Sequence, residues 1–152
     1  MKLAEALQER ADLNRKIQEL RKRITNNVLV QDGEEPSENP EILIKELNDS
    51  AAKLEHLMVS INLTNCKTIV NKMSLTEIIA KKDILMLKIS AYKDMIYVDG
   101  QKANRARGTE IKIKSLLKAP ELQKTIDKLS KELRILDNLL QENNWKTELI
   151  EN

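Results

Sequence analysis

Two basic residues stand where a helical core calls for carbon. Arg10 interrupts the run Leu3, Ala6, Leu13, Ile17, Leu20 and Ile24, and Lys82 interrupts Leu75, Ile78, Leu85, Ile89, Tyr92 and Ile96. The steps alternate between three and four residues, the spacing of a coiled-coil seam. A lone charge in a dry seam is costly, so each residue needs a carboxylate or a route to water. Counting levels back from the hairpin turns places Arg10 near His56 and Lys82 near Asp137, with Asp83 and Asp12 beside the same layer. The long stems can snorkel to a helix edge, which asks least of the sequence. The alternatives are a polar layer that fixes register, or a site inside the bundle.

The other chemically able residues are sparse. His56 is the only histidine, and no Glu-x-x-His motif occurs. A di-iron carboxylate bundle needs two such motifs on facing helices, and zinc needs more His and Cys than this chain has. Cys66 would need a base, and only His56 could serve, ten residues upstream. There is no glycine-rich phosphate loop and no nucleophile elbow. The expectation is therefore no enzyme, no catalytic residue, no metal and no cofactor.

Charge gathers in two loops. Asp32, Glu34, Glu35, Glu38 and Glu41 make one acidic, while Lys102, Arg105, Arg107, Lys112, Lys114 and Lys118 make the other basic, against Glu110 alone. The basic loop could touch phosphate, but it has no aromatic stacking platform. A simpler expectation is that the two loops meet, within a chain or between chains. The net charge of +2 supplies no global field for nucleic acid.

The elements that would carry these residues are helices. Only 3 Gly and 3 Pro punctuate the 152 residues, which limits the turns, and without Phe the core must be Leu, Ile, Val, Met and Ala. Helices are expected over 2–26, 40–65, 74–98 and from 120 to about 145. Asn39-Pro40 reads as a cap with Pro at the first helical position, and Ser74 with Glu77 as a capping box. Residues 28–31 and 110–114 read as extended. The fold class is all-α: a four-helix bundle from two helical hairpins, about 2–65 and 74–145, in one domain. A short β-ribbon from the two hairpin loops is expected. No apolar run is long enough to span a bilayer, and Glu5, Glu9 and Arg10 break any signal-peptide core, so a cytoplasmic protein is the default.

The halves look duplicated. A shift of 72 lays the first seam on the third and Arg10 on Lys82, and a shift of 79 lays the second seam on the fourth. Off the seams, Glu5 meets Glu77, Lys16 meets Lys88, and Lys45 meets Lys124. Asn65-Cys66-Lys67-Thr68 meets Asn144-Trp145-Lys146-Thr147.

The run MKLAEALQERADLNRKIQELRKRI, the loop NNVLVQDGEEP, the segment GTEIKI and the ending ENNWKTELIE together resemble the septicolysin-like family of small bacterial proteins. The resemblance covers nearly the whole chain. It implies a helical cytosolic bacterial protein that assembles into oligomers, and the family's name suggests a pore-forming toxin. It carries over no functional residues. Apolar residues beside the seams, such as Leu7, Ile79, Met86, Ile135 and Leu139, widen the stripe beyond a two-helix contact. The leading expectation is a self-associating protein that acts by binding a protein partner. The alternatives are nucleic-acid binding through residues 102–118 and the pore-forming reading.

Overall fold

The computed structural model describes residues 1–102 and 111–151. Within them the chain is all-α, with four long helices: α1 (Leu3–Asn27), α2 (Pro40–Lys67), α3 (Leu75–Gly100) and α4 (Ala119–Lys146). Two short strands, β1 (Ile69–Val70) and β2 (Met73–Ser74), pair antiparallel. The chain divides into two compact units. One comprises Met1–Ser74 with Asn143–Asn152, and the other Leu75–Glu142. The expected hairpins are therefore separate units, with the last turn of α4 and the tail belonging to the first.

The first unit is built on α1 and α2. Leu3, Ala6 and Leu20 on α1 and Leu43, Leu57 and Ile61 on α2 are buried, as the seam spacing requires. Each fully buried Leu or Ile contributes on the order of 1.5–3 kcal/mol. The Glu5 carboxylate accepts the Lys2 backbone N–H at 2.6 Å, opening α1. Asn39 caps α2, its Oδ1 accepting from the Glu41 N–H at 2.9 Å, with Pro40 in the first turn. Asn27 secures the loop between them: Nδ2 donates to the Arg23 carbonyl at 2.8 Å, and Oδ1 accepts from the Glu38 N–H at 3.0 Å. Gly33 takes φ +84 at the loop's turn, a conformation glycine enters without a Cβ penalty.

The second unit is built on α3 and α4. Its buried seam is Leu75, Ile78, Leu85 and Ile89 against Leu122, Ile126 and Leu140. The helix bounds repeat at the sequence offsets. Leu3 plus 72 is Leu75, and Pro40–Lys67 plus 79 is Ala119–Lys146. The end of α2 and the end of α4 close with the same bond: the Thr68 N–H donates to the Thr64 carbonyl and the Thr147 N–H to the Asn143 carbonyl, both at 2.9 Å.

The ribbon is not where the loops suggested. Residues 28–31 and 111–114 form no strand. The pairing sits in the connector, Ile69 with Ser74 and Val70 with Met73, across Asn71 and Lys72 at φ 49 and 66. Two left-handed residues make the tight turn whose twist suits a hairpin, and such local closure costs far less chain entropy than joining two distant loops. The pairing has a counterpart at the same offsets. Lys2 and Glu148 form an antiparallel bridge, where 2 plus 72 is 74 and 148 minus 79 is 69. The Leu3 N–H donates to the Thr147 carbonyl at 2.9 Å, and the Leu149 N–H to the Met1 carbonyl at 2.8 Å. The expected apolar tail is thus a strand-like closure of the first unit. The Ile150 N–H also donates to Thr64 Oγ1 at 2.9 Å.

Candidate functional site

The two seam cations have different fates. Lys82 Nζ lies 2.5 Å from Asp137 Oδ1, half-buried between α3 and α4, as the level count anticipated. The Lys82 ammonium hydrogen-bonded to Asp137 holds that carboxyl below its ordinary range, against the opposing effect of burial. Arg10 is half-buried and forms no salt bridge among the described residues. The repeat explains this. The place of Asp137 minus 79 is Met58, so hairpin one offers Arg10 no carboxylate there. His56 and Asp83 are exposed on their helices. The five candidates therefore assemble no polar site: one pair forms in hairpin two, and Arg10 reaches water.

The basic-loop candidates are scattered. Lys102 lies 3.5 Å from Asp99 on its own hairpin, and Lys112 and Lys114 are exposed. A hydrogen bond from Ser115, with Lys102 nearby, keeps the Asp99 carboxyl below its ordinary range. Arg105, Arg107 and Glu110 lie outside the described residues. In the acidic loop, Glu38 forms a two-pronged pair with Arg23 of hairpin one. Cys66 is exposed at the end of α2. Among the described residues no three His, Cys, Asp or Glu gather as a metal site, and no helix is long and apolar enough to cross a membrane.

The feature with most surface chemistry is one that seam reasoning only touched. Besides its buried seam, α3 carries a second apolar stripe: Ala80, Ile84, Leu87, Ala91, Met95 and Val98. The steps are again three and four, so these residues share one face. All six are exposed, Ile84 at 51% and Leu87 at 64%. A helix apolar on both faces is normally covered on both. Where this face meets α4, an open groove of about 610 Å³ runs between the helices. Leu85 and Leu136 line it together with Ile84 and Ile135, which is 56% exposed. Lys81 and Lys88 border it from α3, and Glu132 from α4. Ile135 was expected as surplus apolar surface. The rest of the stripe was missed because only residues adjoining the seam were weighed; a count of the opposite face at heptad spacing finds it.

The comparisons with known proteins agree with an all-helical chain of this topology. The chain is similar to a functionally unknown conserved protein from Corynebacterium diphtheriae, whose crystal structure superposes with a TM-score of 0.93 at 34% identity, over 99% of each chain. No curated protein matches the chain. The model of a family of unknown function, DUF6847, matches residues 10–149, and the chain belongs to that family.

Proposed function

We propose that this protein is a non-enzymatic binding module that self-associates through hairpin two and acts in the cytoplasm by holding protein partners. One observation carries the reading: α3 keeps an uncovered apolar stripe of heptad spacing on the face away from its own seam. Exposed apolar surface arranged contiguously, and rimmed by charge, is the mark of an interaction surface. The Lys82–Asp137 ion pair is spent on the seam of hairpin two, which leaves the exposed apolar face as the surface open to a partner. Light scattering at micromolar concentration tests the reading. A multimer of the 17.5 kDa chain is the expected result. A clean monomer at high concentration removes it.

A further inference from the structure

We propose that the groove of hairpin two is filled by hairpin two of a second copy, about a two-fold axis parallel to the helices. The inference rests on the self-association reading and adds its surface and geometry. The charges choose the occupant. On α3 the groove's border is cationic, with Lys81 and Lys88, and on α4 it is anionic, with Glu132. Each half of the groove therefore carries the counter-charge of the other half. A two-fold axis along the helices keeps every residue at its own level and lays α3 over the partner's α4. Lys81 and Lys88 then face Glu132 of the partner subunit, and Ile84 faces Ile135 of the partner subunit. An axis across the helices would lay α3 on α3 and bring lysines toward lysines, an arrangement that like-charge repulsion disfavours. The chosen arrangement makes each helix antiparallel to its neighbour, with four helices drawn equally from two copies.

The repeat supplies an independent argument. In hairpin one, Lys16 is held by Glu46 at 2.8 Å. The corresponding residues in hairpin two are Lys88 and Thr125, so the internal carboxylate has been lost while the cation remains. The outer stripe changes in the same direction. Ala80, Ile84, Leu87, Ala91, Met95 and Val98 replace Gln8, Asp12, Arg15, Glu19, Arg23 and Asn26, and Ile135 replaces His56. Hairpin two has turned apolar where a second copy would sit, while its own seam keeps Leu75, Leu85, Ile89 and Leu122 as the counterparts of Leu3, Leu13, Ile17 and Leu43.

Charge reversal tests this with the full chain, read by light scattering, with helical circular dichroism to confirm folding. The wild type should have a mass of about 35 kDa, twice 17.5 kDa. Glu132→Lys alone, and Lys81→Glu with Lys88→Glu, should each return it to the mass of one chain. The triple variant carrying all three reversals should recover the doubled mass. If the wild type is multimeric and the reversals leave its mass unchanged, self-association stands and this surface is wrong. If the reversals dissociate it and the triple variant does not reassociate, the parallel two-fold axis is wrong. A monomeric wild type overturns both this inference and the reading beneath it.

Discussion

α1 and α3 are the same helix twice with different outer faces. Inward, the match is close: Leu3 and Leu75 are fully buried, as are Ala6 and Ile78. Outward, six polar or charged residues on α1 correspond to six apolar ones on α3. The seam of each hairpin is constrained by its own packing, because a polar residue there costs the burial of its neighbours. The outer face is under a weaker constraint, since its residues stay exposed in the folded hairpin. An apolar outer face therefore reports a demand from outside the hairpin, whereas an apolar seam reports only that the hairpin folds. Hairpin one also ties its helices across the surface, through Lys16 with Glu46, and ties its loop back with Arg23 and Glu38. In hairpin two, Lys82 with Asp137 ties α3 to α4 at the seam instead.

The sharpest way to break this contrast is to truncate one residue of each kind. Leu20 is fully buried in hairpin one. Leu20→Ala should cost about 2–5 kcal/mol, the range for a large-to-small change in a core that cannot fully collapse. Ile84→Ser removes a residue that is 51% exposed. Its cost in a dissociated chain should be below about 1 kcal/mol, while the doubled mass should be lost. Urea melts at low protein concentration separate the two effects. If Ile84→Ser is as destabilising as Leu20→Ala under those conditions, the outer stripe is core to the single chain and the contrast fails.

A smaller effect separates the two seam cations. Lys82 and Asp137 are coupled, and a double-mutant cycle should return about 0.2–1 kcal/mol, the scale of a pair still open to water. Arg10 forms no salt bridge among the described residues, so Arg10→Ala, Arg10→Leu and Arg10→Lys should all lie within about 1 kcal/mol of the wild type, with Leu the most stable because it fills the seam. A true repeat of function would make Arg10 and Lys82 respond alike. The replacement of Asp137 by Met58 in the repeat says that they do not. A loss of several kcal/mol in Arg10→Ala would show a buried partner for that residue and restore the polar layer.

Much of this was legible in the sequence, for physical reasons that vary by element. The four helices could be read because 3.6-residue periodicity is a property of each segment alone, and Asn39-Pro40 marked a start that the structure keeps. The Lys82–Asp137 pair could be read because level in an antiparallel hairpin follows from counting back from the turn. Ile69–Ser74 could not be read as a ribbon. Its strands are two residues long, and its turn places Asn71 and Lys72 in a left-handed conformation that Asn-Gly would have advertised. That Arg10 forms no salt bridge among the described residues was hidden for another reason. Seam position says that a charge is awkward, but only the repeat position of Asp137 says that Met58 stands where help would come.

The gentlest test compares how acid loosens the two units. Glu38 and Glu46 in the first unit are each held below the ordinary glutamate value of 4.5, by hydrogen bonds from Arg23 and Lys16 respectively. Asp137 in the second is held below the ordinary aspartate value of 3.8 by Lys82. A carboxyl depressed in the folded state stabilises it at every pH above its unfolded value, and that contribution drains away as pH falls through the folded one. The glutamate pairs should therefore begin to weaken below about pH 4.5, and the aspartate pair only below about pH 3.8. Urea midpoints of the wild type against Glu38→Gln with Glu46→Gln, and against Asp137→Asn, measure each contribution as pH is lowered. The first difference should start shrinking at higher pH than the second. All three groups are substantially exposed, so both differences should be small and should shrink further in high salt. Differences that persist unchanged to pH 3, or that grow as pH falls, would mean that these carboxylates are not held by the cations beside them. The cross-helix ties that distinguish hairpin one would then have no energetic content.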